Sequence, residues 1–198
     1  MSTIEATSSL RQANETSTMR LFLTRGAVAI AWAAVFAAAS HSLTAAVTVG
    51  AGVLLVLYPL IDVVASVIDA RSQQGSARQL LLAGAAVSAA AAVALGVAAT
   101  GNVADVLAVF GAWAAISGAA QLVVALRRRA LLGNQWPMLL AGGGSVIGGL
   151  AYIIVAAGGN PKLRLLAIYA ATGGVEFIIQ AWLLARRRRR LTAVPTPS

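Results

Sequence analysis

Residues 103–126, VADVLAVFGAWAAISGAAQLVVAL, are the clearest indication of the fold, and three arginines, Arg127 to Arg129, follow them directly. The only charged residue in this stretch is Asp105, close to its start. At about 1.5 Å of rise per helical residue, the stretch is long enough to cross the roughly 30 Å hydrocarbon core of a bilayer. It therefore predicts a transmembrane helix that ends at a basic cluster.

Similar apolar runs, separated by short polar segments, continue over most of the chain. The chain is 59% hydrophobic and 11% charged, and this apolar share is higher than soluble domains of this size have. The strict alternation typical of a membrane β-barrel is absent, so we expect the spans to be helical. Six spans are predicted, at about residues 20–40, 43–69, 78–99, 103–126, 136–157 and 161–185.

Polar segments flank these spans at both ends. Residues 1–18 are rich in Ser, Thr, Asn, Gln and Glu, a composition that predicts a disordered arm. Residues 191–198, a short tail that contains two prolines, are predicted to be a second disordered segment. The transmembrane domain is therefore predicted to cover residues 19–190.

The basic residues are divided unequally between the two ends of the spans. Of the 15 Lys and Arg residues, only Lys162 and Arg164 fall on the side opposite the termini. The positive-inside rule therefore predicts that both termini are cytoplasmic. We expect the basic cluster at that boundary to contact anionic lipid headgroups and not nucleic acid. The cluster consists of Arg127, Arg128, Arg129, Arg186, Arg187, Arg188, Arg189 and Arg190.

An internal repeat groups the spans in pairs. Ala83-Gly84 recurs 58 residues later as Ala141-Gly142, and the second spans align on three aromatic residues, Tyr58, Trp113 and Tyr169. Because each copy holds two spans, successive copies enter the membrane in the same direction. This predicts an all-α membrane protein in which three tandem helical hairpins form a pseudo-threefold, parallel-repeat bundle. The copies cover about residues 20–71, 78–129 and 136–190.

Small residues are expected to allow close packing of the helices, because bare backbone lets a neighbouring helix approach. Gly144 and Gly148 form a GxxxG pattern, which is typical of such contacts. The predicted packing residues are Gly26, Gly84, Gly118, Gly144, Gly148, Gly173 and Gly174.

Two carboxylates, Asp62 and Glu176, are predicted to lie near the bilayer centre, where an unpaired charge is unfavourable. In one interpretation they share a polar interior with Gln180 and act as a proton sensor or relay. In the other they stabilise the helix bundle: Asp62 pairs with Arg25, and Glu176 is a neutral hydrogen-bonding acid. Both interpretations are open from the sequence.

The residues around the first span and the fourth span resemble those of a known family. These are Arg25-Gly26 and the run formed by Gly111, Ala112, Trp113, Ser117 and Gly118. Over about residues 20–190 the chain resembles the HdeD-like bacterial inner-membrane proteins. The resemblance implies six spans built from short hairpins, a place in the bacterial plasma membrane, and an association with acid resistance. It offers no established active site to transfer to this chain.

An enzymatic function is not expected. Cysteine is absent, His41 is the only histidine, and no cluster of acidic residues has the spacing of metal ligands. We therefore predict no catalytic residues, no metal and no cofactor. Three classes of function remain: a stress or acid-resistance membrane protein, a small proton-coupled transporter or pore that uses Asp62 and Glu176, and a scaffold or accessory subunit. A homo-oligomer or a membrane-protein partner is compatible with each.

Overall fold

The computed structural model describes the backbone of residues 2–40, 47–132, 136–159 and 161–192, and the side chains within residues 19–40, 47–126, 139–159 and 161–186. Within these ranges the chain forms six α-helices. They are α1 (Ser2–Ser40), α2 (Val49–Arg71), α3 (Gly75–Ala98), α4 (Val103–Leu132), α5 (Trp136–Ala157) and α6 (Leu165–Thr192).

Each helix contains a segment that is long and apolar enough to cross a membrane. Within the described residues, the predicted all-α class and the presence of six helices able to span a membrane are therefore confirmed. These segments are Met19–Ser40, Val49–Arg71, Gly75–Ala98, Val103–Leu126, Leu139–Ala157 and Leu165–Arg186.

The structure differs from the prediction at the two ends of the chain. Helix α1 begins at Ser2, so the residues predicted to be a disordered arm are helical. They contain no Gly or Pro, so nothing in residues 2–18 interrupts a helix that continues into the span. Helix α6 continues to Thr192, beyond the predicted end of the transmembrane domain, and residues 193–198 lie outside the described residues.

Local side-chain chemistry fixes several helix ends. The Asn102 Oδ1 accepts a hydrogen bond of 3.0 Å from the backbone N–H of Asp105, and the Asn102 Nδ2 donates one of 2.9 Å to the Asp105 carboxylate. The Thr48 Oγ1 accepts from the backbone N–H of Ala51 at 3.3 Å. Both residues satisfy backbone donors that a helix start leaves without a partner.

The six helices form a closed ring. Each packs against the helices before and after it in the chain, and α1 packs against α6. The most extensive contacts are α2 with α3, α4 with α5, and α1 with α6, which we call the three tight pairs. The contacts of α1 with α2, α3 with α4 and α5 with α6, which we call the three seams, are smaller. The closest packing therefore falls between the predicted hairpins and not within them.

Glycines bring the backbones together in two of the tight pairs. A Cβ on Gly26 of α1 would stand 2.8 Å from the carbonyl oxygen of Gly174 of α6, and the reverse distance is 2.9 Å. In the pair of α4 and α5, a Cβ on Gly118 would stand 2.6 Å from the carbonyl oxygen of Gly142. Any side chain at these positions would push the two backbones apart, so the tight pairs depend on glycine.

The predicted packing glycines divide into three groups. Gly26, Gly118 and Gly174 lie at close helix contacts. A Cβ on Gly148 would lie 3.6 Å from the Tyr169 ring, and one on Gly173 would lie 3.9 Å from the Tyr58 hydroxyl oxygen, both at ordinary contact distances. For Gly84 and Gly144, no atom of the described residues lies within 4 Å of the place of a Cβ. These two predictions are corrected, because both glycines face away from the neighbouring helices. Close helix contacts also lie at Gly111, Gly142 and Gly149.

Candidate functional site

A chain of four polar side chains crosses the bundle, and we call it the polar chain. Arg25 of α1 forms an ion pair with Asp62 of α2 through Nη2 and Oδ1. The Ser88 Oγ of α3 donates to the other carboxylate oxygen of Asp62 at 2.8 Å. The Trp113 Nε1 of α4 donates to the Ser88 Oγ at 3.1 Å. Four helices, with a member from each of the three tight pairs, are thus connected through one carboxylate.

The charges of this network compensate one another. The side chain of Arg25 is 18% exposed and that of Asp62 is 33% exposed, so both are largely buried within the bundle. The Arg25 guanidinium carbon also lies 4.9 Å from the centroid of the Phe177 ring on α6, which adds a cation–π contact. Since the ion pair carries no net charge, a membrane-spanning bundle accommodates it more easily than either group alone.

The structure places the predicted site residues in different environments. The ion pair of Arg25 and Asp62 is the one that the structural interpretation predicted. Glu176 and Gln180 lie half-buried on α6, and neither forms a hydrogen bond or ion pair within the described side chains. Arg25 and Ser88 donate to the two carboxylate oxygens of Asp62, and no hydrogen bond joins Asp62 to Glu176 within the described side chains.

Aromatic rings fill the interior of the ring of helices. The Phe110 ring is fully buried, and its centroid lies 5.2 Å from that of Trp113 and 5.2 Å from that of Tyr169. The Tyr58 centroid lies 5.8 Å from that of Trp113. The three aromatic residues aligned by the repeat therefore lie in one cluster. We call it the aromatic cluster, and its members are Trp32, Phe36, Tyr58, Phe110, Trp113, Tyr152 and Tyr169.

Two seams carry equivalent hydrogen bonds from this cluster. Trp113 of α4 donates to Ser88 of α3, and the Tyr169 hydroxyl of α6 pairs with the Ser145 hydroxyl of α5 at 3.1 Å. In each case an aromatic residue of one helix meets a serine of the preceding helix. Indole and phenol groups bury a large apolar surface while their polar atoms keep a partner, which suits a membrane interior.

The seam of α1 and α2 has a different hydrogen bond. The Trp32 Nε1 donates to the backbone carbonyl of Leu54 at 2.8 Å, and the indole is only 6% exposed. Leu54 lies on α2, five residues before Pro59. Trp32 is therefore a buried residue whose indole N–H has a backbone partner.

An apolar groove of about 530 Å³ lies between α2 and α3, at the start of α2 and the end of α3. Its lining includes Val49, Gly52 and Val53 from α2, Gly96 from α3, and Ala99 directly after α3. None of the four residues of the polar chain lines it. The groove is therefore separate from the charged site.

The predicted basic cluster lies on the last turns of α4 and α6. Arg186 stacks on Trp182, with its guanidinium carbon 3.9 Å from the ring centroid. Trp182 is 50% exposed, so this pair faces outward. The side chains of the other members, Arg127 to Arg129 and Arg187 to Arg190, lie outside the described residues.

The site combines a guanidinium, a carboxylate, a hydroxyl and an indole N–H in one hydrogen-bonded chain. Such a set of groups can neutralise charge and hold helices in register. No family model matches the chain, and neither does any curated protein or solved structure with which it was compared. The inference of function therefore starts from the six spans, the polar chain and the aromatic cluster.

Proposed function

We propose that the chain is a multi-pass bacterial plasma-membrane protein of the HdeD type, without enzymatic activity, that contributes to resistance against acid or related stress. The observation that carries this proposal is a ring of six apolar helices whose interior holds aromatic rings and a paired charge. Such an interior suits a bundle that keeps its packing in a stressed membrane. The resemblance of residues 20–190 to HdeD-like proteins supplies the association with acid resistance.

The proposal includes three tandem hairpins arranged with pseudo-threefold symmetry. Two observations support this arrangement. The aromatic residues at equivalent repeat positions meet in the aromatic cluster, and the hydrogen bonds of Trp113 with Ser88 and of Tyr169 with Ser145 occupy corresponding seams. The closed ring of helices gives each hairpin the same kind of neighbours on both sides.

The proposed topology places both termini in the cytoplasm, with the basic cluster at anionic lipid headgroups. Reporter fusions at the two termini are expected to give cytoplasmic signals, and a fusion beside Lys162 is expected to give an external signal. The measurement is paired phosphatase and fluorescent-protein activity in intact cells. Termini found on opposite faces would contradict the proposed topology.

A deletion of the gene in its source bacterium is expected to lower survival after acid shock, and the wild-type chain is expected to restore it. Colony counts after the shock measure this directly. A proton-coupled transporter or pore would instead show flux in proteoliposomes that Asp62→Asn with Glu176→Gln abolishes. A stable co-purifying membrane protein would favour a scaffold or accessory role. Unchanged survival of the deletion strain would contradict the stress-resistance proposal.

A further inference from the structure

The interior of the bundle differs between its two halves. The half nearer the start of the first span and the end of α6, which we call the terminal half, consists of residues 19–28, 60–71, 75–86, 115–126, 139–147 and 174–186. In the other half, large and fully buried side chains fill the centre of the ring, among them Phe36, Leu55, Leu95, Leu107 and Phe110. In the terminal half, every buried residue among the described side chains is a glycine, an alanine or a serine. No large described side chain therefore fills the centre of the ring there.

One face of α6 runs from the aromatic cluster into the terminal half. Four residues at intervals of four, three and four share this face: Tyr169, Gly173, Glu176 and Gln180. Tyr169 identifies it as an inner face, because its ring centroid lies 5.2 Å from that of Phe110. A Cβ on Gly173 would lie 3.9 Å from the Tyr58 hydroxyl oxygen of α2, so this position also faces inward. Glu176 and Gln180 continue the same face toward the unfilled centre.

This part of the interior combines an acid with aromatic rings. Arg25 and Asp62 neutralise each other, whereas Glu176 forms no ion pair within the described side chains. The Asp62 side chain is 33% exposed although both α1 and α3 bind it, so the space beside it is accessible. Tyr58 lies one helical turn before Asp62, and Tyr169 lies two turns before Glu176 on the same face. An uncompensated carboxylate and two aromatic rings therefore border an open space.

We propose that the terminal half of the bundle binds an organic cation with an apolar body, such as an aromatic amine or a quaternary ammonium ion, with Glu176 as its counter-ion. A carboxylate at this depth is stabilised when a cation lies beside it. Tyrosine rings attract the same cation through their faces, and an apolar body fills the space that large side chains leave open. This goes beyond the proposed stress role and does not depend on it.

The chemistry of the lining favours this ligand over others. A metal ion needs several oxygen or nitrogen ligands, and no group of three or more His, Cys, Asp or Glu residues in the described part of the chain could hold one. An anion is disfavoured because the guanidinium of Arg25 is already bound to Asp62. A wholly apolar ligand would leave the carboxylate of Glu176 without a partner.

The seam of α5 and α6 gives such a ligand a route from the bilayer. It is the smallest of the three seams, and the inner face of α6 borders it, since the Tyr169 hydroxyl pairs with Ser145 of α5 at 3.1 Å. Cations with an apolar body accumulate at membranes that contain anionic lipid. The ligand can therefore enter from the membrane side.

The test measures the binding of a defined cation to the complete protein, purified in a non-ionic detergent. The probe is tritium-labelled benzyltrimethylammonium, followed by scintillation proximity at about pH 8, above the ordinary range of a glutamate pKa. The wild-type chain is expected to bind the probe saturably. Neopentylbenzene has the same shape but no charge, and it is expected not to displace the probe.

Two variants change the site in different ways. Glu176→Gln keeps the size of the side chain and removes its charge, and it is expected to weaken binding about tenfold or more. Its control is Asp105→Asn, which removes a charge at the opposite end of the bundle and is expected to leave binding unchanged. Gly173→Leu fills the space beside Tyr58 without changing any charge, and it is expected to cause a similar loss. Its control is Gly144→Leu, which adds the same side chain on an outward face.

Four results would overturn the proposed site. The first is the absence of saturable binding to the wild-type chain, and the second is displacement of the probe by neopentylbenzene. The third is unchanged binding in Glu176→Gln, or an equal loss in Asp105→Asn. The fourth is unchanged binding in Gly173→Leu, which would place the probe elsewhere. Gel filtration of each variant verifies that it is folded, and Glu176→Gln decides the matter if Gly173→Leu is not. An unchanged acid-survival phenotype in cells would affect the proposed stress role and not this inference.

Discussion

Asp62→Leu is expected to destabilise the folded bundle by about 3–5 kcal/mol, because it leaves the charge of Arg25 without its partner inside a membrane-spanning helix. The same change removes the acceptor of the Ser88 hydroxyl, and with it a hydrogen bond between α2 and α3. The free energy of unfolding can be measured by titrating denaturing detergent into mixed micelles and following tryptophan fluorescence.

The control is the double variant Arg25→Leu with Asp62→Leu. Removing both charges takes away the unpaired group, so most of the lost stability is expected to return. A double variant as unstable as Asp62→Leu alone would show that the pairing with Arg25 does not account for the effect.

Gly149→Leu is expected to cost about 3 kcal/mol or more, enough to prevent the tight pair of α4 and α5 from forming. A Cβ at this position would stand 2.6 Å from the backbone nitrogen of Ala115 on the facing helix, and backbone cannot move aside as a flexible side chain does. Detergent unfolding and gel filtration of the purified protein measure the loss.

The matched control is Gly144→Leu, five residues away on the same helix. No atom of the described part of the chain lies within 4 Å of a Cβ there, so the larger side chain faces outward. Leucine also favours a helix more than glycine does, by roughly 0.5–1 kcal/mol. Gly144→Leu is therefore expected to be neutral or stabilising, and equal losses in the two variants would contradict the assigned contact.

The six spans and the ion pair could be predicted from sequence because membrane physics constrains both strongly. An apolar run must be long enough to cross the hydrocarbon, and a charge within it needs a partner. Arg25 is a basic residue in the span neighbouring Asp62, so pairing between them was the simplest solution. The start of α1 at Ser2 was missed because polar composition says little about a helix that continues from an anchored span.

The roles of Ser88 and Trp113 as links in the polar chain could not be predicted. Helix α3 is built largely of alanine, leucine and valine on every side, so its sequence does not indicate which face turns toward α2 and α4. For the same reason, the sequence of α5 does not show which of its glycines face a neighbouring helix. Spacing identifies Gly144 and Gly148 as a pair, but only the rotation of α5 in the ring decides that Gly142 and Gly149 face α4 instead.

The closure of the ring by α1 and α6 has a consequence for biogenesis. During synthesis the first helix leaves the translocon long before the sixth is made, so the contact of Gly26 with Gly174 can form only after the other four helices have been inserted. The ion pair of Arg25 with Asp62 can form earlier, because Asp62 lies on the second helix. The nascent chain thus neutralises its buried charge early and completes its backbone packing last.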